Sequence, residues 1–430
     1  MSWKKHYNNH LMTAEEAVKN IYSGDRVVIA HACGEPSHII EAMVANASNY
    51  KDVEIVHMVP MGKAEYCKPE YASNFRHNAF FTGGATRSAI ADGRGDFTPC
   101  FFSEIPSLFS TTMPVDVALI MVTPPDENGM CSLGVSVDYG MAAVKHAKRV
   151  IAQVNSKMPW TGQYSLISVE DIDCIVEHDA PIIELTPAKI GPVEKGIGEN
   201  CASLIEDGAT LQLGIGAIPD AVLLFLKNKK DLGIHTEMFS DSVVELVKAG
   251  VITNKKKTLH TGKFVATFVM GTQQLYDFVN HNPDVEVRPV EYVNNPFVIA
   301  QNDNMVSINS CVQVDLMGQV VSESVGLKQI SGVGGQVDFV RGASASKGGI
   351  SIIAMPSTVN GNISKIVPFL DSGAAVTTSR NDVDYIVTEY GIAHLKGETL
   401  RQRAINLISI AHPDFRRELT KEFERRFHCS

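Results

Sequence analysis

The stretch Ser-Gly-Asp-Arg-Val-Val-Ile at residues 23–29 has a counterpart in Asp-Gly-Ala-Thr-Leu-Gln-Leu at residues 207–213. In both, a glycine turn precedes a short run with the apolar character of a buried strand. Each run is followed by a glycine-containing loop, a proline and an apolar helix. Gly208 follows Gly24 by 184 residues, close to half of the 430-residue chain. Repeated units indicate repeated architecture, so we expect two structurally similar halves.

Strand and helix patterns alternate along the rest of the chain. Apolar, β-branched runs predict strands at Val27–Ala30, Val53–Val56, Val117–Val122 and Arg149–Ala152. Apolar residues at helical spacing predict helices between them, among them Ala14–Tyr22 and His38–Asn46. This alternation predicts an α/β fold with mainly parallel sheets.

A division of the chain is predicted near its middle. The segment Thr186–Gly198 holds two prolines and three glycines, which is typical of a linker. We therefore expect an N-terminal α/β domain at residues 1–186 and a C-terminal α/β domain at residues 187–430. A last helix is predicted after His412-Pro413-Asp414, with an apolar stripe that should pack against the second domain. That stripe consists of Phe415, Leu419, Phe423 and Phe427.

Composition and charge exclude several classes of protein. The hydrophobic share of 44% and the charged share of 20% are those of a globular chain with a large core, not of a disordered one. The 38 basic and 48 acidic residues give a net charge of −10, which disfavours nucleic acid as a partner. The short basic groups Lys227–Lys230 and Lys255–Lys257 are interpreted as solvated faces.

The cysteines and the N-terminus predict a cytoplasmic protein. None of the eight cysteines forms a Cys-x-x-Cys pair, so free thiols in a reducing compartment are expected. The N-terminus lacks the apolar segment of a secretory signal. Since no run of about 18 apolar residues occurs, no membrane partner is expected.

Several catalytic motifs are absent from the sequence. It contains no Gly-x-x-x-x-Gly-Lys phosphate loop, no His-Glu-x-x-His helix and no Gly-x-Ser-x-Gly elbow. The fourteen histidines show no metal-ligand spacing. A nucleotide kinase, a zinc enzyme and an α/β-hydrolase are therefore disfavoured, and no metal is expected.

Two glycine-rich loops are candidates for ligand binding. Residues 211–220 run from a strand through Gly214 and Gly216 into a helix, whose N-terminus offers free N–H groups to an anion. Residues 331–339 hold three glycines within four residues and leave backbone amides bare. For each loop, a tight turn without a ligand remains the alternative.

Two further segments carry side chains that suit chemistry. Glu237, in Gly233–Asp241, has the composition of an ordinary glutamate, although a positioned and desolvated carboxylate can act as a nucleophile. His31 and Glu35 lie in the first-half counterpart of the glycine loop at Gly214. A structural histidine and a substrate contact are both open for His31.

Several of these motifs, taken in order, resemble the class I CoA-transferases of the acetyl-CoA hydrolase/transferase family, and among them the 4-hydroxybutyrate CoA-transferases. The resemblance extends over nearly the whole chain. Its first-half motifs are Ala30–Pro36, Gly93–Phe97 and Glu104–Pro106. Its second-half motifs are Leu213–Asp220, His235–Met238, Gly332–Phe339, Val387–Ala393 and Ala411–Phe415.

The resemblance implies a fold, a site and a mechanism. The fold is two related open α/β domains with the active site between them. Glu237 is implied as the catalytic nucleophile that attacks acyl-CoA. CoA or the oxyanion is implied to lie against Gly214, Ile215, Gly216, Ala217, Ile218, Gly332, Gly334 and Gly335. Relatives often carry a lysine where this chain has Asn360, so that residue would meet CoA without a positive charge. His31, Gln212, Met61 and Tyr66 are expected to contact the substrate.

The activity implied is transfer of CoA between a short-chain acyl-CoA and acetate. The acyl group is expected to be 4-hydroxybutyryl or butyryl, and the mechanism is ping-pong through a glutamyl–CoA thioester. Coenzyme A is then both substrate and covalent intermediate, with short-chain carboxylates as the other partners. An acyl-CoA hydrolase using the same glutamate and a non-catalytic CoA-binding protein are the alternatives. A homodimer or a higher homo-oligomer is expected.

Overall fold

The computed structural model of the protein describes residues 2–186 and 188–428. They form two compact units. The first contains the residues up to Thr186 together with Val265–Val293, and the second contains residues 188–264 and those from Asn294 onward. The predicted boundary falls at Pro187, which lies outside the described residues, and the continuous domains 1–186 and 187–430 stay a prediction.

Within the described part of the first unit, seven parallel strands form one sheet. They are β1 (Arg26–Ile29), β2 (Val53–His57), β3 (Phe75–Ala79), β4 (Gly95–Phe97), β5 (Val117–Val122), β6 (Arg149–Val154) and β7 (Cys174–Glu177). Their order is β4-β3-β2-β1-β5-β6-β7, and every neighbouring pair is parallel. The predicted strands are confirmed to within two residues at their ends. The strand order reverses beside β1, and ligands bind at such switch points in open α/β sheets.

Helices cover this first sheet. The α-helices are Ser2–His10, Ala14–Ala17, Ser37–Ala45, Arg87–Ala91, Ile105–Ser110, Gly140–His146, Gln273–Val279 and Val290–Val293. The 3₁₀ helices are Val18–Asn20, Ala32–Gly34, Ala47–Asn49, Glu65–Cys67, Pro69–Tyr71, Phe102–Glu104, Gln163–Ser165 and Val169–Asp171. Met130–Ser132 and Leu166–Ser168 form a separate antiparallel pair. The predicted helix Ala14–Tyr22 is shorter than expected because its second half turns into a 3₁₀ segment.

The described residues of the second unit form a sheet of the same kind. Its strands are β8 (Thr210–Leu213), β9 (Gly233–Ile234), β10 (Met305–Ser310), β11 (Ile350–Ala354), β12 (Tyr385–Thr388) and β13 (Gly391–His394). Their order is β9-β8-β10-β11-β12-β13, parallel except for the hairpin of β12 and β13. The strand order reverses beside β8. Gly24 and Gly208, the glycines of the sequence repeat, both have positive φ just before β1 and β8.

The second unit also contains helices and short strands. The helices are Pro192–Ser203, Ala217–Phe225, Asp241–Lys248, Pro296–Ile299, Gln336–Ala345, Leu400–Ser409 and Pro413–Phe427. The short strands are Gln313–Asp315, Val320–Val321, Ser324–Val325, Lys328–Gln329, Thr358–Val359, Ile363–Ser364 and Ile366–Val367. Met238–Phe239 is a further short strand of this unit, and the strand Phe264–Ala266 begins at Phe264. The short strands Phe268–Val269 and Val285–Val287 belong to the first unit.

The C-terminal helix confirms the prediction made for it. It runs from Pro413 to Phe427, and the ring of His412 accepts a hydrogen bond from the backbone of Asp414 at its N-terminus. Leu419 is buried in the hydrophobic core of the second unit. The three phenylalanines of the stripe pack against the same core while remaining partly exposed. None of the described helices is both long enough and apolar enough to cross a membrane.

The predicted linker is wrong beyond residue 191, because Pro192–Ser203 is a helix. Pro192 occupies its first turn, where a missing N–H costs nothing, and the Glu194 carboxylate accepts from the Gly191 backbone N–H at 2.9 Å. Gly198 lies where this helix meets Ala217–Phe225. A Cβ on Gly198 would come within 2.7 Å of the Ala221 carbonyl carbon. The glycine therefore serves close helix packing rather than flexibility.

Gly198→Ala is expected to destabilise the protein. The added methyl group meets backbone that cannot turn aside, at a cost of about 1–3 kcal/mol, which exceeds the 0.5–1 kcal/mol or so gained from helix propensity. Gly84→Ala is the matched control, because a Cβ there meets open space. Urea unfolding should give a lower midpoint for Gly198→Ala alone. Equal midpoints for the two variants would contradict this account of the helix contact.

One basic group differs from its prediction. Lys257 was expected on a solvated face, but it is only 3% exposed. Its Nζ donates to the carbonyl oxygens of Ile234 and Lys263, each at 2.7 Å. Buried carbonyls need donors, and β9, which holds Ile234, is the edge strand of its sheet. Lys257 thereby fixes the end of β9, three residues before Glu237.

Candidate active site

Two loops meet at the carboxyl edge of the second sheet. β8 leads into Gly214–Ile218 and β9 leads into Glu237, and the two strands pair in parallel, so both loops emerge at the same edge. Thr236 joins them. Its hydroxyl donates to the Leu213 carbonyl at 3.1 Å and accepts from the Leu213 N–H at 3.3 Å. The residue beside Glu237 is thus tied to the residue beside Gly214.

Glu237 lies in a bend and is half-buried. Its Oε2 accepts a hydrogen bond of 2.7 Å from Nδ2 of Asn294. The carboxylate can only accept, so the amide nitrogen must face it. Asn294 is fully buried, and its Oδ1 has no hydrogen-bond partner among residues 2–186 and 188–428. The asparagine is therefore committed to holding one carboxylate oxygen.

The second glycine loop lies directly against this pair. Gly335 precedes the helix Gln336–Ala345, and Gly334 before it has φ +54°, a region that favours glycine. A Cβ on Gly335 would overlap both the Glu237 carboxylate and the Asn294 amide. Residue 335 is a glycine because the Glu237 carboxylate and the Asn294 amide occupy the space that a side chain would need. Gly332 is buried in the same loop.

The first glycine loop is more open. Gly216 has φ +106°, and a Cβ on it would meet no atom within 4 Å. Ile215 is exposed, while Gly214, Ala217 and Ile218 are half-buried. The loop thus leaves backbone and apolar surface at the start of a helix accessible to a ligand.

Gln212 and Asn360 have other surroundings. Gln212 is buried, and its Oε1 accepts from Nδ2 of Asn309 on β10 at 3.1 Å. Asn360 is exposed in the hairpin loop between Thr358–Val359 and Ile363–Ser364. Its φ of +51° is one that asparagine tolerates well, which accounts for its place in a tight turn.

A cation does lie at this edge of the sheet, on a different residue. Nζ of Lys365 donates to the carbonyl of Cys311, which follows β10, at 2.9 Å. Burial lowers the pKa of Lys365, while the charge of Glu389 acts in the opposite direction. Glu389 accepts from both the N–H and the hydroxyl of Ser357, at 2.9 and 2.6 Å. This network fixes the loop after β11.

Three predicted substrate residues lie in the first unit. His31 follows β1 and is buried, with its Nδ1 3.4 Å from Oδ2 of Asp138. Met61 donates its backbone N–H to Glu35 at 3.0 Å, and the hydroxyl of Tyr66 lies 2.8 Å from Nδ1 of His57. Met61 and Tyr66 therefore converge on the pair Glu35 and His57.

Comparison with known protein families gives two matches that together cover most of the sequence. The acetyl-CoA hydrolase/transferase N-terminal domain matches residues 1–187, and the C-terminal domain of the same name matches residues 271–423. The 4-hydroxybutyrate coenzyme A transferase of Clostridium kluyveri is 67% identical over 429 residues, which cover 99% of this chain and 100% of that protein. The chain belongs to the acetyl-CoA hydrolase/transferase family.

Two further members of this family are similar along their full length. The crystal structure of 4-hydroxybutyrate CoA-transferase from Porphyromonas gingivalis has a TM-score of 0.86 at 46% identity, covering 99% of this chain and 100% of that one. The butyryl-CoA:acetate CoA-transferase of Anaerostipes caccae is 38% identical and covers 99% of this chain and 98% of its own length. The predicted family, α/β fold and CoA-transferase class are confirmed.

Asn294 is the site residue that sequence reasoning missed. It precedes Asn295, whose Oδ1 accepts from Phe297 N at 2.9 Å and caps a short helix. Asn294-Asn295-Pro296 is typical of a turn before a helix, and nothing in the sequence separates the capping asparagine from the one on Glu237. Among the described residues, no three His, Cys, Asp or Glu side chains are grouped as a metal site requires.

Proposed function

We propose that the protein moves coenzyme A between a short-chain acyl-CoA, 4-hydroxybutyryl-CoA or butyryl-CoA, and acetate, with Glu237 as the nucleophile. The main support for this proposal is the position of the Glu237 carboxylate. It is half-buried, it accepts a hydrogen bond from Asn294, and it lies against the backbone of Gly335. The names of the relatives in Clostridium kluyveri and Anaerostipes caccae support the choice of acids.

The transfer proceeds by two acyl exchanges at one side chain. A Glu237 oxygen attacks the thioester carbonyl, the carbon–sulfur bond breaks, and CoA leaves as a thiolate. The thiolate then attacks Cδ of Glu237 in the mixed anhydride, and the first acid departs as its carboxylate. This leaves CoA bound to Glu237 as a thioester. Acetate reverses the sequence and leaves as acetyl-CoA, so no ATP is consumed.

Asn294 contributes to the second step. When the thiolate adds to Cδ of Glu237, negative charge develops on the retained glutamyl oxygen. Nδ2 of Asn294 already donates to Oε2 at 2.7 Å, so the donor is in place before the charge appears. A donor oriented in advance costs no reorganisation at the moment of reaction.

The remaining predicted contacts to coenzyme A are assigned to the two glycine loops. Gly214–Ile218 offers free N–H groups at the start of a nine-residue helix, next to the Glu237 bend. Gly332 and Gly334 belong to the loop that touches the carboxylate. Asn360 is exposed in its hairpin loop and would approach the ligand without charge.

Four residues are proposed to contact the substrate. Gln212 lies in the strand that leads to the first glycine loop, and His31 and Met61 follow β1 and β2. Tyr66 lies in the 3₁₀ helix Glu65–Cys67, and its hydroxyl contacts His57 at the carboxyl end of β2. Strand ends beside a switch point are where α/β proteins bind ligands, which supports all four as proposals.

An acetate-dependence assay tests the function. The protein is supplied with 4-hydroxybutyryl-CoA or butyryl-CoA, with and without acetate, and both acetyl-CoA and free thiol are measured. We expect acetyl-CoA only when acetate is present, with parallel lines in double-reciprocal plots. Thiol release that does not depend on acetate would establish a hydrolase, and the absence of both products would establish a non-catalytic CoA-binding protein.

Gly335→Ala is expected to block transfer without unfolding the chain. The new methyl group displaces Glu237 and Asn294, and misplacement of reacting groups by about 1 Å costs about 100-fold in rate. Gly140→Ala is the control, because a Cβ there makes an ordinary contact with Leu133. Steady-state kinetics should show the loss in Gly335→Ala only, and full activity there would refute the packing described for this loop.

We also propose a reducing compartment, the cytoplasm. The seven cysteines within the described residues form no disulfide, as expected for a reducing environment, and Cys429 lies outside those residues. Burial raises the pKa of the Cys201 thiol to about 12, which makes it a packing residue rather than a reactive one. A homodimer or a higher homo-oligomer stays a prediction.

A further inference from the structure

The first unit contains a cavity of about 130 Å³ lined by apolar, polar and charged side chains. Ile40, Val44 and Ala64 supply apolar wall, Glu35 and His57 are buried polar residues of the lining, and exposed charged side chains complete it. Both polar side chains are deeply buried, Glu35 with 4% and His57 with 1% of its surface exposed. Buried polar groups normally have hydrogen-bond partners. The hydrogen bonds that Glu35 and His57 do not make therefore indicate which ligand group would fit the cavity.

His57 has one nitrogen without a partner. Its Nδ1 lies 2.8 Å from the hydroxyl of Tyr66. Its Nε2 makes no hydrogen bond to a side chain of the described residues and is 3.7 Å from Oε2 of Glu35, while the backbone of Ala30 also interacts with the imidazole. That separation is too long for a direct hydrogen bond. The gap is too narrow for an atom on the line that joins them, but one oxygen atom beside that line would be within hydrogen-bond distance of both.

Glu35 is held rigidly beside this gap. Its Oε2 accepts from the Met61 N–H at 3.0 Å, and its Oε1 accepts from the Ser37 hydroxyl at 3.1 Å. A Cβ on residue 62 would overlap Oε1, so Gly62 allows the chain to pass directly over the carboxyl group. These contacts hold the acceptor at its present distance from His57.

The chemistry of the pair selects a hydroxyl group. Burial lowers the pKa of His57 well below its usual value, so the imidazole is neutral near pH 7, and burial raises the pKa of Glu35. A hydroxyl both donates and accepts, which satisfies a neutral imidazole and a carboxyl group together. A carboxylate of the ligand would face the carboxyl group of Glu35, so two acceptor groups would lie against each other. A methyl group of the ligand would leave Nε2 of His57 without a hydrogen bond.

We propose that this cavity binds the terminal hydroxyl group of a short hydroxyacyl chain, with the oxygen beside Nε2 of His57 and Oε2 of Glu35 and within hydrogen-bond distance of both. The apolar wall then accommodates the methylene groups. The identity of the chain rests on the proposed function, which makes 4-hydroxybutyryl and butyryl groups the two candidate acyl groups. Glu35 and His57 are thereby the residues that distinguish between them.

Titration calorimetry with the free acids 4-hydroxybutyrate and butyrate tests this directly. We expect the protein to bind 4-hydroxybutyrate about tenfold more tightly or better, as a well-paired buried hydroxyl provides. In His57→Phe this advantage should fall below about twofold, because no nitrogen remains to pair with the hydroxyl. Glu35→Met removes the other partner at similar size and tests the same contact if His57→Phe does not fold.

His77→Phe is the matched control. His77 is another buried imidazole whose Nε2 lacks a partner within the described chain, but it does not line the cavity. His77→Phe should bind 4-hydroxybutyrate more tightly than butyrate by the same factor as the unmodified protein. Equal affinities for both acids in the unmodified protein, or an unchanged advantage in the folded His57 or Glu35 variant, would overturn the proposal and leave water as the occupant.

A parallel transfer assay separates this proposal from the proposed function. Butyryl-CoA and acetate need no hydroxyl group, so the unmodified protein should form acetyl-CoA from them. Failure of that reaction in the unmodified protein would refute the proposed function and not the hydroxyl site. Successful transfer together with an unchanged preference in His57→Phe would refute the hydroxyl site alone.

Discussion

Glu237→Ala is expected to lower kcat/KM for CoA transfer by about 10⁴-fold or more, the largest effect of any single change in this chain. The reason is that the carboxylate forms the covalent bonds of both half-reactions, and no binding interaction replaces a missing nucleophile. Binding of coenzyme A should persist, because the glycine loops remain. Steady-state kinetics and titration calorimetry with coenzyme A measure the two effects separately.

The control and the conservative variant sharpen this test. Glu245 is an exposed glutamate on the helix Asp241–Lys248, so Glu245→Ala removes a carboxylate from the same unit and should leave transfer within about twofold. Glu237→Gln keeps the size of the side chain but not its nucleophilicity, and should be as inactive as Glu237→Ala. Undiminished transfer in either Glu237 variant would end the assignment.

Asn294→Ala is expected to lower kcat by about 10²- to 10³-fold, with little change in KM. Its Nδ2 donates to Oε2 of Glu237, and this hydrogen bond strengthens as charge develops on the glutamyl oxygen. An interaction that is stronger in the transition state than in the bound substrate acts on kcat. Kinetics with saturating acyl-CoA and varied acetate give the two constants.

Asn295→Ala is the matched control for Asn294→Ala. The two asparagines are adjacent, but Asn295 caps the helix Pro296–Ile299. Its loss should cost about 1 kcal/mol of stability and leave kcat unchanged. A fall in kcat that is equal in both variants would assign the effect of Asn294 to local folding instead of charge stabilisation.

The sheets and their loops follow from the sequence for a simple reason. Runs such as Val117–Val122 are buried on both faces, so their composition alone identifies them as strands of a parallel sheet. The glycine turns at Gly24 and Gly208 have the positive φ that only glycine adopts cheaply. These features are local, and a single sequence carries them.

The features that could not be predicted from the sequence depend on tertiary contacts. Asn294 meets Glu237 across 57 positions of chain, and Lys257 donates to the Ile234 carbonyl across 23 positions. The segment Val265–Val293 packs with the first unit although it follows Pro187 by many residues. In Thr186–Gly198, glycine and proline serve the start and the packing of a helix, which composition does not distinguish from a linker.

Recognition of Glu237 came from its motif rather than from its own properties, since nothing local marks it. The structure supplies what the motif lacks, namely the hydrogen bond from Asn294 and the close backbone of Gly335. The role of Glu237 as nucleophile stays a proposal that its surroundings support.

Peptide mass analysis after incubation with butyryl-CoA in the absence of acetate tests the nucleophile most directly. We predict that the peptide containing Glu237 carries coenzyme A through a thioester, that hydroxylamine removes it, and that borohydride reduces the same residue. A Glu237 peptide that stays unmodified while the protein forms acetyl-CoA from acetate would contradict the account.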